Sequence, residues 1–308
     1  AFGGLTPELQ EFGIPAACCT DGPSGLRFDC GTRAFSMPNG TLLGCTFDLP
    51  LVEDLYEMAG REMRQNRVDA LLGPGMNIHR NPLNGRNFEY ISEDPYLTGW
   101  ISAVQILGME KSHVTGTIKH FCANNQESNR HHVDAVVSER ALREIYLKGY
   151  EIAVKEGGAR SIMSTYGPVN GIWTAGNYDL LTTILRGEWN YDGFVMTDWW
   201  AMSNREGYEA TKTTHAPMVS AGNDVFMVCT DCSDMGQDDV KEALENGEIT
   251  RGDLQRNAMN VLHFILGTPS ILRFLDRISE EEKEAQEQMG DNDFVAADLV
   301  TYEADQAT

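Results

Sequence analysis

The stretch Asp192 to Ala201 reads Asp-Gly-Phe-Val-Met-Thr-Asp-Trp-Trp-Ala. Phe194, Val195 and Met196 make a short apolar, strand-forming run, and Asp198 stands just beyond it. A carboxylate at the C-terminal end of a buried strand is where a β/α barrel keeps its reactive groups. The indoles of Trp199 and Trp200 offer flat apolar faces of the kind that stack on sugar rings. The same residues also fit an N-cap aspartate opening the next helix, with its tryptophans in the core. On this stretch alone the two readings stand level. Further polar residues gather after other apolar runs: Asp21, Arg86, Lys119-His120 and Tyr166.

Bringing those side chains to one face requires strands that all end on that face. Apolar runs at Gly13–Thr20, Val68–Leu72, Thr115–Lys119, Ser161–Thr165, Phe194–Thr197 and Asp224–Val228 read as strands. Between them lie helical patterns at Asp48–Arg67, Tyr96–Lys111, Ser138–Glu156, Asp179–Glu188, Met235–Asn246 and Arg251–Leu266. A repeating strand, polar loop and helix predicts an α/β fold with a parallel sheet, and it suits a (β/α)8-type TIM barrel better than a Rossmann sheet. The six runs named, and a count of about seven at most, fall short of the eight strands a closed barrel needs. The long loop Asn77–Pro95 contains Pro82, Gly85, Phe88 and Tyr90, which argue for order.

Bulk properties narrow the partners. The chain has 308 residues, 42% hydrophobic, with a formal net charge of −22, a surface that repels nucleic acid and anionic membranes and favours a neutral substrate. No apolar run reaches the length of a membrane span. No G-x-G-x-x-G follows a strand and no Walker sequence occurs, so no nucleotide cofactor is expected, and no metal either. Cys18, Cys19, Cys30, Cys45, Cys122, Cys229 and Cys232 lack zinc-site spacing. Cys229-Thr-Asp-Cys232 is a lone C-x-x-C, and buried free thiols are the simpler account. Free thiols and the lack of a visible leader point to the cytoplasm, with a clipped start leaving secretion open.

Together these motifs resemble the barrel domain of the family 3 glycoside hydrolases over roughly Gly13 to Leu266. The resemblance rests on five ordered blocks: Thr20–Arg27, Gly85–Glu89 with Ser92–Pro95, Lys119–Phe121 through Arg130, Ser164–Gly171, and Gly193–Trp199. It implies that Asp198 is the nucleophile of a retaining exo-acting β-glucosidase, ionised and kept so by cationic neighbours. It implies that Arg86, Lys119, His120 and Arg130 hold the hydroxyls of the terminal sugar and that Asp21 accepts from the far ones. Met163 and Tyr166 would wall the nucleophile, and Trp199 would supply an apolar face. Taken singly, Lys119 and Arg86 could instead bridge loop carboxylates such as Glu89 or Asp94, and His120 could be a core histidine. Glu89, Glu93 and Glu127 read as loop-holding residues, His131 and His132 have no assigned role, and Met37–Gly40 reads as a structural turn.

Two departures from the family matter. Its members usually have more chain before Gly13-Ile14-Pro15, and they take the acid/base glutamate from a second, α/β-sandwich domain. Nothing after Leu266 reads like that domain. The expectation is therefore an incomplete barrel over residues 1–275 and an acidic tail or linker over 276–308, from a member whose sandwich precedes its barrel. A second chain or segment would carry the acid/base. Cys122-Ala123-Asn124-Asn125 replaces the His-containing loop of the β-N-acetylglucosaminidase branch, which disfavours that branch. A β-xylosidase or arabinosidase stays open as the alternative activity, and a carbohydrate-binding barrel without an acid/base is the non-enzymatic one.

Overall fold

The computed structural model describes residues 2–4, 9, 12–28, 31–227 and 237–275. Strands β1 (Phe2–Gly4) and β2 (Cys18–Asp21) pair antiparallel. Helices α1 (Gly40–Thr46) and α2 (Leu49–Gln65) lead to β3 (Ala70–Leu72), and α3 (Pro95–Glu110) leads to β4 (Thr115–Phe121). A short α4 (Glu139–Ala141), a π turn over Leu142–Tyr146 and α5 (Lys148–Lys155) precede β5 (Ser161–Ser164). The hairpin β6 (Pro168–Val169) and β7 (Ile172–Trp173), then a π-helix over Asp179–Glu188, connect to β8 (Phe194–Thr197). Helices α6 (Ala216–Ala221), α7 (Val240–Asn246), α8 (Arg251–Leu266) and α9 (Pro269–Phe274) follow.

The main sheet runs β1-β2-β3-β4-β5-β8, with every pairing from β2 onward parallel. It is a half-barrel of the expected α/β kind, and an isolated parallel bridge from Met196 to Val225 extends its edge. The run Asp224–Val228 was expected as a strand. Only that bridge forms, and Val228 lies outside the described residues.

Alternation in these strands serves two cores, as parallel strands covered on both faces require. Leu71 packs with α2 and α3, and Ile162 and Val195 pack with α5 and the π-helix. Their neighbours Cys19, Ala70, Leu72, Met163, Phe194 and Met196 face the inner side. There Phe264, Ile265 and Ile271 of α8 and α9 fill the space, with the Phe194 and Phe264 rings 4.4 Å apart. Buried Asp69 anchors α9 by accepting from Ser270 N (3.0 Å) and Ser270 Oγ (2.6 Å).

Local sequence explains the helix starts. Asp48 and Asp94 cap α2 and α3 by accepting from Leu51 N (3.1 Å) and Leu97 N (2.8 Å). Asn39, in the structural turn, caps α1 through Leu42 N (2.9 Å). A Cβ on Gly40 would lie 2.3 Å from Glu89 O. Glycine there lets α1 press on the loop that carries Glu89 and Tyr90. Thr41 Oγ1 locks the contact by donating to Asn87 O (2.7 Å).

Three expected helices differ. Ser138–Glu156 is interrupted by the π turn, and Asp179–Glu188 is π-helical. Helix α7 starts at Val240, because Asp239 Oδ1 accepts from His215 N (2.7 Å) and Ala216 N (2.9 Å). That ties the preceding residues to the start of α6. Met235 and the acidic segment 276–308 lie outside the described residues, as do Cys30, Cys229 and Cys232.

Candidate active site

The parallel strands end side by side, and each delivers a polar side chain. Asp198 follows β8, its backbone N–H donating to Ser164 O (3.1 Å), so the β5–β8 ladder carries the carboxylate one residue past the strand. The helix-cap alternative does not hold. A turn follows Asp198, and the next helix is α6. Trp199 N donates to Asp198 Oδ1 (2.8 Å), and the Tyr166 hydroxyl, after β5, faces the same carboxylate and favours its charged form.

Lys119 and His120 both belong to β4, and both are buried. A regular strand sends adjacent side chains to opposite faces, yet both reach the site. The β4–β5 register slips between Ile118 and Phe121, which breaks the strict alternation there. Lys119 Nζ binds Asp21 Oδ1 (2.8 Å). His120 Nε2 stands 3.7 Å from Asp198 Oδ2. The Asn77 amide clamps the His120 backbone, with Nδ2 donating to His120 O (3.0 Å) and Oδ1 accepting from His120 N (3.0 Å).

Arginines complete the rim. Arg86 Nε donates to Glu89 Oε1, and its guanidinium lies 5.9 Å from the Tyr90 ring. Arg130 pairs with Glu127 Oε2 (2.8 Å) and lies 4.9 Å from the Tyr166 ring. Glu127 Oε1 also stands 3.9 Å from Arg86. Glu89 and Glu127 thus hold loop cations, as expected, and Asp94 caps α3.

The two aspartates differ electrostatically. Burial would raise Asp21, but positive charge outweighs it and holds the carboxyl at about 2, Lys119 contributing most and Arg27, at 3.0 Å, less than the N-terminal charge. Burial pushes Asp198 above its ordinary value, against the Trp199 N–H, the Tyr166 hydroxyl and the charges of Lys119 and Arg86. Cationic neighbours were expected to dominate at Asp198. Desolvation dominates instead, because Lys119 and Arg86 are engaged with Asp21 and Glu89. Burial, then Arg86, Lys119 and Arg130, drive His120 well below its usual range, so its imidazole is neutral.

Asp21, Arg86, Lys119, His120, Arg130, Tyr166 and Asp198 are therefore joined in one contact network. Met163 lies lower, in the inner core beside Met196. Trp199 is half-buried against that core, and Trp200 is 42% exposed. Residues missed as site components are Arg27, Asn77, Tyr90, Asn124 and His131, whose ring lies 4.1 Å from that of Tyr166. Their one signal was membership of the polar loops that follow strands. Among the described residues no cluster of three His, Cys, Asp or Glu side chains could hold a metal ion. No helix among them is long and apolar enough to cross a membrane.

The sequence profile of the glycosyl hydrolase family 3 N-terminal domain matches residues 6–264. The chain belongs to glycosyl hydrolase family 3. This family 3 chain is 58% identical over 282 residues to a β-glucosidase of Ruminococcus albus, a match covering 92% of this chain and 29% of that protein. It aligns with a β-glucosidase structure from Paenibacillus barengoltzii at a TM-score of 0.85 and 56% identity, over 89% of this chain and 30% of that one. β-Glucosidase 3B from Thermotoga neapolitana in complex with glucose aligns at 0.79 and 36% identity, over 92% and 40% of the two chains. The chain thus spans under a third of the length of the first two relatives.

Proposed function

We propose that this chain carries the sugar-binding and nucleophile half of a retaining, exo-acting β-glucosidase. The observation that carries the proposal is the setting of Asp198. It is buried at the end of β8, held by Tyr166 and faced by neutral His120, with the Asp21–Lys119 pair and Arg86 close by. Asp21 offers an acceptor to sugar hydroxyls, and Lys119, Arg86 and Arg130 offer donors, a mixed set suited to a neutral polyol. The similarity to β-glucosidases supports glucose over a pentose.

In this mechanism Asp198 attacks the anomeric carbon of a terminal β-glucosyl unit and forms a covalent ester, and water then releases glucose. A general acid about 5 Å from Asp198 protonates the leaving oxygen. That acid comes from another segment or chain, the α/β-sandwich partner that the sequence leads one to expect. The Tyr166 hydroxyl and Trp199 N–H stabilise the carboxylate before attack and let go of its charge as the ester forms.

Intact-mass spectrometry after incubation with 2-deoxy-2-fluoroglucosyl fluoride tests the proposal, because the fluoride leaving group needs little protonation. One fluoroglucosyl group on Asp198 is the expected result. No adduct in folded full-length protein would reduce the function to sugar binding.

A further inference from the structure

His120 has a second set of contacts, away from Asp198. Tyr90 OH lies 3.2 Å from His120 Nδ1, and Asn124 Nδ2 donates to Tyr90 OH (3.0 Å) and to Glu127 Oε1 (3.0 Å). A carboxylate only accepts, so the Asn124 atom facing Glu127 is the amide nitrogen. Its two protons are then used, one on Glu127 and one on the Tyr90 oxygen. Tyr90 is fully buried, and its own hydroxyl proton has His120 Nδ1 as the remaining acceptor among these groups. A buried hydroxyl proton without a partner is costly, so this arrangement is the satisfied one. Burial keeps the Tyr90 phenol protonated and the imidazole neutral. A neutral imidazole that accepts at Nδ1 carries its proton on Nε2.

We propose that Tyr90 and Asn124 are positioning residues that fix His120 as its Nε2–H tautomer, so that a neutral N–H faces Asp198. At 3.7 Å the N–H is beyond a formed hydrogen bond to Oδ2. It is placed to donate to that carboxylate, or to a hydroxyl oxygen of the sugar bound beside it. The opposite tautomer would turn a lone pair towards Asp198 and repel it. The catalytic consequence rests on the glucosidase reading above, whereas the tautomer itself does not.

The test separates the two. In full-length protein carrying 15N-labelled histidine, the signals lost in His120→Asn report this ring, and those perturbed in Tyr90→Phe identify it independently. Wild-type protein is expected to show an unprotonated Nδ1 and a protonated Nε2. Asn124→Asp combined with Glu127→Gln puts an acceptor against Tyr90 without setting two carboxylates together, draws the hydroxyl proton away from His120, and is expected to shift the pattern towards Nδ1–H. A wild-type Nδ1–H, or an unchanged pattern in that folded double variant, overturns the proposal.

The same variants are then timed for fluoroglucosyl trapping. Tyr90→Phe is expected to slow it at least about tenfold with its melting temperature preserved, the scale of one lost directed donor. Trapping within twofold of wild type in a folded Tyr90→Phe overturns the catalytic part. Should that variant not fold, the Asn124→Asp/Glu127→Gln double variant decides by the same rate, compared with Glu127→Gln alone. Absence of any adduct in wild-type protein sinks the glucosidase reading, and the nitrogen signals still decide the tautomer.

Discussion

Asp21 and Asp198 are the same residue type at the ends of two strands of one sheet, and their surroundings part them. Asp21 is gripped by two cations, Lys119 at 2.8 Å and Arg27 at 3.0 Å, and its carboxyl is held at about 2. Asp198 has neutral donors in direct contact, the Trp199 N–H and the Tyr166 hydroxyl, and burial moves it upward. A group locked as an anion by salt bridges is a good permanent acceptor for sugar hydroxyls and a poor nucleophile. A buried carboxylate on weak neutral donors is the reverse. Environments that push like groups apart are how a site divides its labour.

The largest expected effect breaks the reactive half. Asp198→Asn keeps the shape and removes the charge, and kcat should fall on the order of 10⁴-fold or more, as loss of a nucleophile does elsewhere. KM should change far less. Steady-state kinetics on an aryl β-glucoside read both, and a residual rate above about a tenth of wild type would make Asp198 a structural group rather than a nucleophile.

Breaking the other half should show as binding and stability. Lys119→Met leaves Asp21, among the described residues, with a mostly exposed Arg27 as its ion-pair partner, and Asp21→Asn leaves buried Lys119 with Glu89 at 4.0 Å. Each single change is expected to cost about 3 kcal/mol, and the double variant less than the sum, because a buried charge loses its partner only in the singles. Chemical denaturation checks this. The pH dependence has a definite sign. Folding lowers the Asp21 pKa, so its contribution is present above the ordinary carboxylate value near 3.8 and is lost as pH falls towards about 2. Asp21→Asn should flatten the stability curve across that window.

A subtler contrast lies at Tyr166. Removing its hydroxyl takes one of the donors that oppose burial at Asp198. In Tyr166→Phe the acidic limb of the kcat/KM profile should therefore move to higher pH, and kcat should drop about tenfold. An unmoved limb would mean that another group sets it.

How much of this was legible beforehand follows from sequence distance. Asp198, Asp21, Lys119 and Tyr166 each stand at the end of an apolar run, so their shared face could be read from strand periodicity. The contacts that tune them could not. Asn77 clamps His120 from 43 positions away, and Tyr90 reaches it from 30. Tyr90 sits where α1 presses on its loop through Gly40, a close approach that no local pattern reveals. The π turn in Ser138–Glu156 was hidden for the same reason, since its 3.6-residue pattern is ordinary on both sides. What was misjudged at Asp198 is the leading influence, burial rather than cations, because the cations were counted without asking which carboxylates already held them.

Arg130 gives the smallest effect and the finest test of the division. Its guanidinium is bonded to Glu127 at 2.8 Å and lies over the Tyr166 ring at 4.9 Å, on a side chain that is 34% exposed. Lysine at this position keeps the charge but gives up the planar face and the forked donors. A cation–π contact at a half-exposed site contributes about 0.5–1 kcal/mol, so Arg130→Lys should lower kcat/KM about two- to fivefold. The direction of the split matters more than its size. If Arg130 chiefly steadies Tyr166, the loss falls on kcat and the acidic limb moves as in Tyr166→Phe. If it chiefly binds sugar, the loss falls on KM and the limb stays in place. The first outcome would assign Arg130 to the Asp198 half of the site, and the second to the Asp21 half.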